Sequence, residues 1–334
     1  MDRRSWLLIV AISIGATAIA LSLAPRAEEI AATPTTTTAA VVATTTTTTA
    51  PTTTTTVTTT PPPSTLAPGT TACDAYTEVT VAGEVASEAL TETSGVAASR
   101  VADGVIWAHN DSGDDAILYA LGPAGEDLGG FAVTGALAFD WEDIASGPGP
   151  EAGVSYLYIG DIGDNFGIRD GRVTVYRVPD QDPTTLTDSL QGSVALTLDF
   201  PDGAHDAEAL FIADGFIHIV TKDPNRAQVY RAPAGNDAGP TVMELVASVD
   251  LGAVVTAADV SWDGSTIAFR GYDTVWMWNR DADTSVAEAL AAPPCEAPAP
   301  DERQGEALAF RMDGTYSTIS EGTNPELHLV RGTS

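Results

Sequence analysis

Residues 208–232 read EALFIADGFIHIVTKDPNRAQVYRA, and their pattern decides the fold. Two runs rich in apolar and β-branched residues, 208–213 and 216–221, flank Asp214-Gly215, a dipeptide that favours a two-residue hairpin turn. A third run, 227–232, follows a stretch containing Asp, Pro and Asn, all turn formers. So small a sheet cannot bury its own apolar face and needs neighbours of the same kind.

The sequence supplies those neighbours. The first apolar segment recurs as SGVAAS (94–99), EDIAS (142–146), ADVSW (258–262) and EALAFR (306–311). An Asp-Gly turn follows at Asp103-Gly104, Asp263-Gly264 and Asp313-Gly314, while the second copy carries the looser GPGPEAG. Second strands then read VIWAHN, YLYIGD, TIAFRG and YSTISEG, and third strands AILYAL, VTVYRV, TVWMW and ELHLV. Fourth strands are weaker, with DLGGFAV, SVALTLDF and MELVASVDL as candidates. Four short antiparallel strands repeating about every 50 residues predict an all-β, five-bladed β-propeller. The longer interval from 142 to 208 leaves room for a degenerate blade, so a six-bladed ring is the alternative. No helix-period pattern is apparent after residue 70. The last copy ends at its third strand, whereas TEVTVAGEV (77–85) stands unpaired before the first. Pairing the two would close the ring and remove two exposed edges. Cys73 and Cys295, the only cysteines, are expected to pair beside the last blade and staple that closure. The tryptophans at 107, 141, 262, 276 and 278 are read as packing between blades.

Arg3 and Arg4 precede 19 uncharged residues, 6–24, long enough to cross a bilayer with the bulk of the chain outside. Ala18-Ile19-Ala20 offers a small-x-small site, so cleavage as a signal peptide is the alternative. Residues 33–65 are almost wholly threonine, alanine and proline and read as an extended stalk without a core. The expected organisation is therefore an anchor or signal at 1–27, a disordered Thr-rich stalk at 28–70 and a propeller at 71–334. The domain is expected at the cell surface on a single-pass anchor, or secreted.

Of 46 acids and 15 bases, the first 70 residues hold three each, so the net charge of −31 belongs to the remainder. Such a surface repels phosphate backbones and excludes nucleic acid as a partner, while it attracts cations and basic groups. The repeat places Glu92, Glu142, Asp143, Asp206, Glu208, Asp259 and Glu306 at the starts of inner strands. The loops after the second strands carry HNDSGDD (109–115), GDIGDN (160–165), Lys222-Asp223, Arg270 and Glu321. Both sets open on one face near the axis. Confined carboxylates must bind a cation, pair with bases or hold protons. All-oxygen donors point to calcium, with Asp111, Glu142, Asp161, Glu208 and Glu306 as expected ligands; the alternative is that the Asp, Asn and Gly residues of these loops only make tight turns. Lys222 is the only lysine in the chain; it is either a site residue or paired with Asp223 or Asp206. Glu208, Lys222, His109, His205 and Arg270 are the candidate catalytic residues, whereas His218 and His328 fall in strands. No P-loop, nucleophile elbow, dinucleotide fingerprint or His-Glu-x-x-His motif occurs.

The strings SGVAAS, HNDSGD, LYAL, DWEDIA, GDIGDN, HDAEAL and QGEALAF resemble exported bacterial propellers of the phytase-like or esterase-like group and the SdiA-regulated family. That resemblance covers roughly residues 77–331. It implies that Glu142, Glu208 and Glu306 line a central channel, with Asp111 and Asp161 near calcium. Two functions follow as expectations: a module that binds an extracellular small molecule or protein on an acidic, calcium-bearing face, or a calcium-dependent phosphoester or ester hydrolase.

Overall fold

The computed structural model describes residues 70–111 and 113–332, and the predicted anchor and almost all of the stalk lie outside them. Among the described residues no helix is long and apolar enough to cross a membrane. Five separate sheets, each antiparallel through its four main strands, follow one another along the chain and form the five predicted blades. Their inner strands are Thr93–Ala98, Trp141–Pro148, Ala207–Ala213, Ala257–Val260 and Gly305–Phe310. The sequence of this layer is rich in glycine and alanine because neighbouring strands crowd toward the axis. A Cβ on Gly95, for example, would collide with the His109 ring and the backbone of blade 2 at Asp143 and Ile144. Asp214 and Gly215 both adopt positive φ, 54° and 79°, as a tight hairpin turn requires.

Aromatic side chains fill the wedges between sheets. Trp107, Trp141 and Trp278 are wholly buried, and Trp107 donates its indole N–H to Asp180 at 3.1 Å. Small polar side chains stitch the inner layer together. Ser94 Oγ donates to the carbonyl of Glu142 at 2.6 Å, joining blades 1 and 2, and Thr256 Oγ1 donates to that of Gly305 at 3.1 Å, joining blades 4 and 5. Asp143 and Asp259, which sequence reasoning grouped with the acids of the open face, belong to this framework. The Asp143 carboxylate accepts from the backbone N–H groups of Ile144, Leu210 and Ala258, so it reaches blades 3 and 4 from blade 2. Asp259 accepts from Val260 and from Phe310 of blade 5.

The six-bladed alternative fails. The extra length lies within blade 2, between its third strand, Arg172–Pro179, and its fourth, Val194–Asp199, where it forms a 3-10 turn, Pro183–Thr185, and a two-residue strand, Ser189–Leu190. That strand runs parallel to the outer strand of blade 1, Asp127–Val133, and extends an existing sheet. Thr241–Val242 extends blade 2 in the same way, beside Val194–Asp199. A short helix, Val286–Leu290, lies between the last two strands of blade 4 and leaves the fold all-β. Ser285 caps it by accepting from the Glu288 N–H, while the Glu288 carboxylate accepts from the Ser285 N–H.

The ring closes as expected. Glu78–Glu84 pairs antiparallel with Glu326–Arg331, the third strand of blade 5. Cys73 and Cys295 form a disulfide with a Cα–Cα distance of 6.0 Å. Its placement differs from expectation, because Cys295 begins the outer strand of blade 4, Cys295–Ala297, so the bond ties the closing segment to the preceding blade.

Candidate functional site

In four of the five blades the inner strand starts with two residues opposite one on its neighbour. The register slips between Thr93 and Gly95, Trp141 and Asp143, Ala207 and Ala209, and Gly305 and Ala307. The extra residues are Ser94, Glu142, Glu208 and Glu306. A bulge re-aims its side chain out of the regular alternation, so one local device sets three glutamates at equivalent places around the axis. All three are buried. Their pKa values rise first through burial, and neighbouring carboxylates add to it: Glu208, Asp111 and Asp140 raise Glu142, Glu306 and Asp206 raise Glu208, and Glu321 raises Glu306. Lys222 opposes the rise at all three glutamates.

Lys222 follows the second strand of blade 3, Phe216–Thr221, and its ammonium pairs with Glu208 rather than with Asp223 or Asp206. Burial alone would lower its pKa, but the Glu208 carboxylate outweighs that and holds it above its ordinary value. Glu306 accepts from Gln304 Nε2 at 3.1 Å. Asp161 pairs with Arg169 and accepts from the Asp140 N–H at 3.1 Å.

Asp111, Asp140 and Glu142 come together more closely. One carboxylate oxygen from each lies within 4.8 Å of the others. Glu142, 1% exposed, leaves Oε1 buried with no hydrogen-bond partner. Gly163 makes the pocket possible, since a Cβ there would collide with Glu142 Oε1 and Asp140 Oδ2. The Gly163 and Ile162 N–H groups donate to the Asp140 carbonyl, fixing this loop against the inner strand. Burial, and then the Asp111 charge, push Asp140 up to about 6. A hard cation would relieve this crowding of oxygens, with carbonyls and water completing its shell. Sequence reasoning missed Asp140. Its signal was the string DWEDIA, where it precedes Glu142 by two residues.

The other candidates are held by local partners. Asn110 is fully engaged, accepting from Thr91 and Glu92 and donating to Ala89 and Asp114. His109 is buried against Trp141, bonds the Asn110 carbonyl through Nδ1 and has its pKa lowered by burial. His205 sits with Asp202, Tyr230 and Phe200. Arg270 is buried in an ion pair with Glu302.

The buried glutamates make a pH-dependent contribution of defined sign. Burial foremost raises Glu306 to about 7 from an ordinary 4.5, although the Gln304 hydrogen bond opposes it. Between those values the folded state holds the proton more tightly than the unfolded, so this group's contribution to stability falls as pH rises through that window. Glu306→Gln removes the titration and keeps a neutral side chain. The variant is expected to match wild type near pH 5 and to exceed it by on the order of 2 kcal/mol at pH 8. Urea unfolding in chelator measures this; an advantage independent of pH would place Glu306 in a solvated setting.

No family model matches the chain, and no curated protein matches it. Among solved structures, it is similar to the PQQ-bound form of aldose sugar dehydrogenase from Streptomyces coelicolor, at 13% identity over 76% of this chain and 98% of that chain, with a TM-score of 0.43. It is also similar to a chain of the mitotic checkpoint complex, at 15% identity over 72% of this chain and 61% of that chain, with a TM-score of 0.36. Neither similarity carries an argument about activity.

Proposed function

We propose that this propeller is a cell-surface or exported binding module that takes calcium at Asp111, Asp140 and Glu142 and presents the surrounding acidic face to an extracellular ligand. The observation that carries the cation site is the buried, unpartnered Oε1 of Glu142 beside two further carboxylates. An ionised oxygen so placed is strongly disfavoured without a proton or a cation. The Cys73–Cys295 disulfide supports an oxidising, extracytoplasmic setting. Binding is preferred over phosphoester hydrolysis because two cations of this face, Lys222 and Arg169, are held by Glu208 and Asp161.

Calcium titrated into chelator-treated protein is expected to raise the melting temperature. An ion bound only by the folded state at about 100 times its Kd adds roughly 2.7 kcal/mol. Glu142→Gln should remove that shift. Calorimetry showing no heat of calcium binding to the native protein would overturn the reading.

A further inference from the structure

Among the described residues eleven large apolar side chains are exposed, and four of them fall in two loops beside the carboxylate trio. Leu137 (74%) and Phe139 (56%) lie in the connection from blade 1 to blade 2, whereas Phe166 (87%) and Ile168 (63%) lie between the second and third strands of blade 2. The two loops meet. The Arg169 guanidinium stands 4.9 Å from the centre of the Phe139 ring, and the Ile162 and Gly163 N–H groups bond the Asp140 carbonyl. The Asp164 carboxylate accepts from the Ile168 and Arg169 N–H groups, and Gly167 takes a positive φ of 61° between them. The apolar side chains are thus presented from a braced loop. A rigid apolar rim of this kind is what interfaces use for anchoring, because little freedom is lost on binding.

We infer that this rim and the adjoining carboxylates dock a basic, amphipathic peptide segment of a partner protein. Charge selects the occupant. Beyond residue 70 the chain carries 43 acids against 12 bases, and Arg169, the base nearest the rim, is paired with Asp161. A second copy of this chain would bring the same negative charge, and an anionic membrane would be repelled. A peptide alternating cationic and apolar side chains satisfies both halves of the face, with its apolar groups on Phe139, Phe166 and Ile168 and its ammonium groups toward the acids. The inference rests on reading this face as a binding surface, but it does not require the calcium.

The test uses a fluorescein-labelled peptide of alternating lysine and leucine, titrated with the disulfide-bonded protein at physiological salt and followed by anisotropy. A peptide with glutamate in place of lysine is the control. The lysine peptide is expected to bind and the glutamate peptide not. The double variant Phe166→Ser with Ile168→Ser is expected to weaken binding at least about tenfold, with the melting temperature and the calcium response unchanged. Equal binding by the variant would reduce the contact to diffuse electrostatics and overturn the proposal, as would no binding by wild type. Sedimentation with phosphatidylcholine vesicles that depends on Phe166 and Ile168 would assign the rim to lipid and also overturn it. The unchanged calcium response separates failure here from failure of the cation site.

Discussion

Deleting residues 71–86 is expected to abolish the cooperative melting transition of the propeller. The deletion removes the closing strand, Glu78–Glu84, and strips the edge of Glu326–Arg331, whose Leu327 and Val330 are fully buried. It removes Tyr76, whose ring packs 5.1 Å from that of Tyr316 and 6.0 Å from that of Phe310. It also cuts the link between first and last blades, since Val85 bonds Pro325 and Ala86 bonds Gly125. The disulfide, spanning a sequence separation of 222, is lost as well. In the chain-entropy picture a loop of that size is worth about 5 kcal/mol, comparable to the whole stability of many domains, about 5–15 kcal/mol. Scanning calorimetry should therefore show a broad or absent transition and strong binding of a hydrophobic dye. A transition at the wild-type temperature would mean that the ring does not depend on its closure. The paired variant Cys73→Ser with Cys295→Ser isolates the covalent part and should keep a cooperative, lower transition.

The blades were legible because each is a local hairpin written in apolar runs and Asp-Gly turns, and locality is what sequence patterns encode. Ser189–Leu190 and Thr241–Val242 were not, since a two-residue strand has no periodicity and its partner lies in an earlier blade. The helix Val286–Leu290 is too short for a helical stripe and was marked only by its capping pair, Ser285 and Glu288. In the site, Glu142, Glu208 and Glu306 could be picked out because they sit at the same offset in three repeats, and the bulge gives that offset its meaning. Chemistry alone could not separate Glu142 from Asp143 beside it. One carboxylate joins the trio; the other binds backbone N–H groups contributed by residues 67 and 115 positions away. The apolar loops were invisible for the opposite reason, because exposure cannot be read from four dispersed residues.

Arg270 carries the sharpest division between a site role and a structural one. Replacing it with methionine is expected to destabilise the domain by about 3–5 kcal/mol, the usual effect of stranding one member of a buried pair. Its guanidinium pairs with Glu302 and donates to the Ala307 carbonyl at 3.0 Å. Gly305 gives it space, because a Cβ there would collide with Nη2 and Cζ. Glu302 also accepts from Thr318 Oγ1 and bonds His328 Nδ1, each at 2.8 Å, so one buried carboxylate joins blades 4 and 5. Burial would raise the Glu302 pKa, but the His328 hydrogen bond and the Arg270 charge hold it below its ordinary value. Without Arg270, His328 is the remaining cationic partner, and its pKa is raised chiefly by that same hydrogen bond. A raised histidine contributes stability that is present at low pH and lost as pH climbs through its folded value. The Arg270→Met variant should accordingly lose more stability at pH 8 than at pH 6, as urea unfolding at the two values would show. Adding Glu302→Met should recover much of the loss, since an apolar pair replaces the stranded charge. Calcium binding should survive in every variant that folds. A variant with wild-type stability and no calcium or peptide binding would return Arg270 to the working face.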